Sequence, residues 1–296
     1  MDQEATSVTP GEAPSDNASE DAAVAPPVRA GWHPLAWLVA GLIGLIVPHV
    51  VLQSFTNATG ALGAILLSFV DVGFAFLVYR FLMRYLAKRP GKELAASRFA
   101  TETLLGMALG AAFVGGSAGL VAAFSGYAFT WSPAAPLILL EVLAVNLGAA
   151  VVEELVFRGV AFLAIEELFG PLTALATTSL FFGAAHLGNP NATWWSAFAI
   201  ACEAGLLLGA AFLWRRHLGF VVGLHFAWNS VEAWLGISVS GHASPGLFEA
   251  KLTGSQLLTG GSFGLEASVV PVIASLFLSV PMIVLARRRL DEAADT

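Results

Sequence analysis

Charge is what this chain has least of. Asp, Glu, Lys and Arg make up 12% of its 296 residues, about half the roughly 25% of a soluble domain. Nine of the 21 acids lie in the tails, six in residues 1–30 and three in residues 291–295, so the middle is poorer still. This scarcity excludes a solvated globule, a nucleic-acid binder with a basic face and a chain disordered throughout. Cysteine is almost missing. Cys202 stands alone, which rules out an internal disulfide and a metal site built from several thiolates. The His-Glu-x-x-His signature of many zinc proteases is missing too.

What is abundant is apolar: 57% of the residues are hydrophobic, and mean hydropathy is +0.76. A helix needs about 20 apolar residues to cross a hydrocarbon core roughly 30 Å thick. Eight stretches come near this, at 35–55, 61–82, 103–125, 134–157, 171–188, 194–214, 219–238 and 265–286. They predict an all-α polytopic membrane protein with about eight transmembrane helices, spans 4–7 forming a core. The organisation that follows is a tail at 1–30, N-terminal helices at 31–130, the core at 131–240, an outer loop at 241–264, and a last helix with its tail at 265–296.

Orientation follows from the basic residues. With the N-terminus inside, 13 of the 14 Lys and Arg fall on the cytoplasmic side and Lys251 alone falls outside. Arg158 is counted among the 13, although it sits at the end of the fourth stretch. Both termini are therefore expected in the cytoplasm. Residues 1–30 carry Pro10, Pro14, Pro26, Pro27 and six acids without an aromatic, the composition of a disordered tail. Their acidic start does not read as a signal peptide. Trp194, Trp195 and Trp214 flank the sixth stretch as interfacial aromatics do. The pairs Gly106/Gly110, Gly115/Gly119 and Gly205/Gly209 would let helices approach closely.

An ionisable group inside a bilayer is a functional candidate by default. The fourth stretch holds Glu153, Glu154 and Arg158, the fifth ends in Phe182 and His186, and the seventh carries His225 and Asn229. Two glutamates and an arginine left unpaired would cost on the order of 8–10 kcal/mol, so they must face one another or water. Glu154 and Arg158 are four apart and share a helix face. Glu153 points about 100° away and stays free. Phe182 with His186, and His225 with Asn229, repeat the four-residue spacing. Gly170-Pro171 marks the turn between the fourth and fifth stretches. Counting back from it puts the Glu pair and His186 at the same depth, roughly 22–24 Å away. His225 falls only a few residues into its stretch, which places it nearer the cytoplasmic side. The other ionisable residues carry blander expectations: structural hydrogen bonds for Asp71, Glu141 and Glu203, an interfacial position for His33 and His49, a solvated loop for His217 and His242, and the headgroup region for Glu166-Glu167.

The ordered set Glu-Glu-x-x-x-Arg, Phe-x-x-x-His and His-x-x-x-Asn, on Glu153-Glu154-Arg158, Phe182-His186 and His225-Asn229, resembles the CPBP intramembrane protease family. That family groups type II CAAX prenyl endopeptidases with bacteriocin-processing and bacteriocin-immunity proteins. The resemblance covers roughly residues 135–235, about a third of the chain, and it implies a bacterial plasma-membrane protease. Amide hydrolysis needs an activated water and stabilisation of an oxyanion. Glu153 fits the general base, His186 an orienting or proton-sharing group, and His225 and Asn229 the oxyanion donors; the resemblance implies the same roles. The alternative is zinc held by Glu153, His186 and His225 with water in the fourth position. The preferred reading requires no cofactor, because the ligands would come from three helices and the zinc signature is absent. The expected partners are membrane lipids and a membrane-associated protein or peptide, cut near the cytoplasmic leaflet, with no nucleic acid. Two other functions compete: a transporter with a buried proton relay, and a catalytically silent immunity or scaffold protein of the same fold.

Overall fold

The computed structural model describes residues 31–294, so the expected tail at 1–30 and its Arg29 lie outside the described residues. Eight helices follow the eight apolar stretches: α1 (Pro34–Thr56), α2 (Ala58–Leu86), α3 (Ala96–Ala123), α4 (Pro136–Phe169), α5 (Pro171–Ala185), α6 (Trp194–Arg215), α7 (Leu218–Trp234) and α8 (Val269–Ala294). Three of them start on proline, at Pro34, Pro136 and Pro171. Its fixed φ suits the first helical position, and its missing N–H would have no intrahelical partner there. Six of the eight are long and apolar enough to cross a membrane. The other two are short. α5 has 15 residues and α7 has 17, about 22 Å and 25 Å at 1.5 Å per residue.

α1 and α2 form an antiparallel hairpin. Gly60 reverses the chain with φ +67° and ψ 176°, a region essentially reserved for glycine. The hairpin is closed at its far end by Trp32, whose N–H donates to the Leu86 carbonyl at 2.8 Å. α3 lies along α7 at backbone contact. A β-carbon on Gly106 would stand 1.9 Å from the Phe220 carbonyl oxygen, and one on Gly110 would stand 2.3 Å from that of Leu224. Gly205 and Gly209 meet Ser179 and Leu175 of α5 in the same manner, whereas Gly115 and Gly119 meet nothing within 4 Å. Two of the three small-residue pairs thus pack helices, and the third is spare.

Nearly every side chain of α7 is buried, which puts this helix at the centre of the bundle. The outer faces of α1, α2 and α8 remain apolar, with Val39, Ile43, Val50, Phe74, Leu77 and Phe277 exposed. Water would not tolerate so continuous an apolar surface, and lipid does. The protein is an integral membrane protein. From Gly31 on it forms one compact unit, so the N-terminal helices are part of the same body as the expected core.

The two ends of the bundle differ. One is basic and laced with ion pairs. Arg215 holds Glu102 through two hydrogen bonds of 2.7 and 3.0 Å, Arg216 holds Glu166, Arg89 pairs with Glu167 at 3.0 Å, and Arg289 donates to the Trp214 carbonyl. The other end carries an unexpected antiparallel ribbon, β1 (Tyr127–Trp131) with β2 (Phe248–Leu252), in the register Tyr127–Leu252 to Trp131–Phe248. The outer loop is therefore structured.

Candidate active site

α4 is the spine of the site. It runs for 34 residues, about 51 Å, and loosens into a π-helical segment at Leu155–Ala161, directly after Glu153 and Glu154. α6 does the same at Ala201–Gly205. Such segments disturb the regular carbonyl ladder and recur at functional positions. Here the two meet through Arg158. Its Nη1 donates to Glu154 Oε1 at 2.8 Å, and its Nη2 donates to the carbonyls of Ala204 and Gly205 at 3.0 and 3.2 Å. The guanidinium also lies 4.7 Å from the centre of the Phe182 ring, within cation–π range. Both charged partners are buried, Arg158 at 1% and Glu154 at 0% exposure.

Glu154 has a second partner. The Nδ1–H of His225 donates to Glu154 Oε1 at 2.8 Å, which brings α7 level with the Glu pair. The depth mismatch anticipated for His225 is taken up by α4, which overruns the fourth stretch and extends about 12 Å past the start of α7 at the basic end, since Glu154 lies 15 residues before Phe169 and His225 seven residues after Leu218. On α5, the Nδ1–H of His186 donates to the Phe182 carbonyl at 2.7 Å. Each histidine spends Nδ1 on the protein, and its Nε2 is left for the site. Phe182 is the apolar hub, packed against Phe157, His186 and His225 with ring centres 4.9, 4.8 and 6.1 Å away.

Glu153, His186, His225 and Asn229 line one cavity of about 680 Å³. Glu153 makes no side-chain hydrogen bond to a described residue, and its Oε2 is buried without a partner. Asn229, one turn beyond His225, also makes none. The cavity thus holds a carboxylate, two imidazole Nε2 atoms and an amide whose hydrogen-bonding capacity is unspent. Glu154 and Arg158 stand behind it, engaged with each other and with His225. The three motifs come together as their spacing anticipated. Among the described residues, no three His, Cys, Asp or Glu side chains group closely enough to hold a metal ion.

The rest of the cavity was not legible from the motifs. Gln53 and Thr56 of α1, Glu141 and Asn146 of α4, Asn189 after α5, and residues 239, 240 and 242–245 after α7 also line it. The loop over the cavity is fixed by Glu266, whose oxygens accept from the Ser240 N–H at 2.5 Å and hydroxyl at 2.9 Å. Asn189 Nδ2 donates to the Ser240 carbonyl at 3.0 Å. These bonds hold Ser240 at φ +47°, a left-handed conformation that non-glycine residues seldom adopt. Burial pushes the Glu266 carboxyl up to about 7.

Several single-residue expectations need correction. Asp71 does make a hydrogen bond, 2.6 Å from His49 Nδ1, so His49 is the partner of a buried acid rather than a mere interfacial residue. Glu141 lines the cavity without a side-chain partner, and both Glu203 oxygens are buried without one. His217 is fully buried and caps α7, its Nδ1 accepting from the Gly219 N–H. None of these contacts lies within one helical turn in a recognisable pattern, except the cap.

Residues 135–231 match the family model described as type II CAAX prenyl endopeptidase Rce1-like. Neither curated proteins nor solved structures yield a match to the chain.

Proposed function

We propose that the chain is an intramembrane endopeptidase in which Glu153 activates a water, a reading supported by the match of residues 135–231 to the Rce1-like family model. The reading rests on one contrast: of two adjacent glutamates, Glu154 takes Arg158 and His225 on its Oε1 and lines no cavity, while Glu153 faces the cavity with no hydrogen bond to a described residue. A water between Glu153 and His186 Nε2 gives one proton to the carboxylate and attacks the scissile carbonyl. His225 and Asn229 donate to the oxyanion that forms. His225 is suited to this because Glu154, bound to Nδ1, balances a second proton on Nε2. Glu153 then returns its proton to the departing amine. Arg158 and Phe182 keep Glu154 and the imidazoles in place and touch no reacting atom.

The substrate class is a membrane-associated protein or peptide; the matched family model is described as a type II CAAX prenyl endopeptidase. Trapping with a full-length Glu153→Gln variant in native membranes, followed by peptide mapping, tests the assignment. The variant should retain an uncut substrate that the wild type cleaves, and cleavage at the wild-type rate would end the role of Glu153. Metal content of the purified protein tests the chemistry. Cleavage should survive chelation, whereas stoichiometric zinc with chelator-sensitive cleavage would turn Glu153, His186 and His225 into ligands.

A further inference from the structure

We propose that the cavity opens on the extracytoplasmic side, so that the substrate is a translocated polypeptide still tethered to the membrane and cut at an internal bond. This rests on the protease reading and adds the side of entry and the substrate class.

The charge distribution gives the orientation. Of the 13 Lys and Arg among the described residues, 11 lie at the ion-paired end, Arg158 is buried in the bundle, and Lys251 alone lies on β2 at the other end. Lys and Arg accumulate on the cytoplasmic side, so the ribbon end is extracytoplasmic. The cavity is at that end. Gln53 and Thr56 close α1, Glu141 is in the second turn of α4, Asn189 follows α5, and residues 239, 240 and 242–245 follow α7.

Helix length explains why a hollow exists there. α5 and α7 start at the basic end and reach about 22 Å and 25 Å, short of a hydrocarbon core of about 30 Å. The depth that α5 leaves unfilled belongs to the cavity, with His186 at its tip; α7 ends against the ribbon, its Trp234 carbonyl accepting from the Leu247 N–H at 2.8 Å. Cleavage near the cytoplasmic leaflet, the expectation from the position of His225 alone, gives way to cleavage in the outer half of the bilayer.

The lining then narrows the substrate. It contains Glu141 and Glu153 and neither Lys nor Arg. A free C-terminal carboxylate close to the scissile bond would enter beside two acids with neither Lys nor Arg to receive it, only the imidazoles of His186 and His225 that the reaction itself uses and that of His242, at a desolvation cost. An internal bond of an anchored chain meets no such obstacle.

Accessibility of single cysteines decides the side without relying on catalysis. In a full-length Cys202→Ser background, Ala243→Cys marks the cavity mouth and Ser97→Cys marks the basic end; both native side chains are exposed. In spheroplasts, a membrane-impermeant maleimide should label Ala243→Cys at least tenfold faster than Ser97→Cys, and lysis should equalise them. Labelling of Ser97→Cys with Ala243→Cys protected until lysis would overturn the proposal. Peptides trapped on Glu153→Gln should map to extracytoplasmic segments; cytoplasmic C-terminal tails would overturn it equally. The predicted labelling with no cleavage of any membrane protein would retain the side of entry and remove the protease reading.

Discussion

α4 carries two consecutive glutamate pairs, Glu153-Glu154 and Glu166-Glu167, about 20 Å apart along one helix. The same dipeptide has opposite fates. At the basic end, Glu166 and Glu167 are neutralised by Arg216 and Arg89, which reach them from other parts of the chain, and all four side chains are partly exposed. In the interior, two glutamates have one arginine near them, and it binds only one of them. Arg158 binds Glu154 at 2.8 Å, and Glu153 faces the cavity alone. What separates the pairs is the number of cations within reach and the dielectric around them, not the residue type. An acid left over in a low-dielectric, water-accessible hollow is a base in waiting; an acid with its own arginine in solvent is part of a surface.

The largest effects should come from splitting the interior pair. Glu153→Gln removes no hydrogen bond to a described residue, so the unfolding temperature should hardly move. Cleavage should fall by about 10²–10⁴-fold, the usual range for a lost general base. Glu154→Gln should do the reverse first. It strands the buried Arg158 and should cost about 3–5 kcal/mol of stability, with loss of activity as a consequence. Thermal unfolding in detergent, run beside a cleavage assay, separates the two. Equal destabilisation by both variants would erase the distinction between the adjacent glutamates.

The difference between the pairs was partly readable in advance. An acid inside an apolar run stands out, and the four-residue steps from Glu154 to Arg158, Phe182 to His186 and His225 to Asn229 assign shared faces without coordinates. The helical bundle and its eight stretches were legible for the same reason, since length and apolarity are local properties. The π-helical segments at Leu155–Ala161 and Ala201–Gly205 were not, because they depend on α4 and α6 meeting around one guanidinium. The loop clamped by Glu266 and the His49–Asp71 pair are contacts across 26 and 22 residues, with no periodicity to announce them. The cavity was hidden by its origin, a deficit of helix length at the end of α5 that only acquires meaning once its other end is fixed.

Glu266 sharpens the comparison from a third position. It is buried like Glu154 but has neutral donors in place of a cation, the N–H and hydroxyl of Ser240. Burial wins, and the carboxyl rises from 4.5 to about 7. A raised folded-state value means that the native protein holds this proton more tightly than the unfolded chain. The resulting stability is full below about 4.5 and is lost as pH rises through about 7. The unfolding temperature of the wild type should therefore fall between pH 5 and pH 8, and that of Glu266→Gln should fall less. Parallel profiles would show that Ser240 suffices to keep the carboxylate ionised.

The smallest effect belongs to the outer pair, and it is the control for all the others. Arg216 grips Glu166 with two hydrogen bonds, a geometry that looks stronger on paper than the single bond from Arg158 to Glu154. Solvent reverses the ranking. The side chains of Arg216 and Glu166 are 39% and 17% exposed, so water competes for both, salt screens them, and the net contribution of such a pair is about 1 kcal/mol or less. Glu166→Gln should lower the unfolding temperature by a few degrees at most, the loss should shrink in 0.5 M salt, and cleavage should be unchanged. Glu154→Gln, in contrast, should destabilise to the same extent at low and high salt, because ions do not reach a fully buried pair. A salt-insensitive, multi-kcal/mol loss on Glu166→Gln would mean that the basic end is as dry as the interior, and the contrast between the two pairs would then need another cause than solvent.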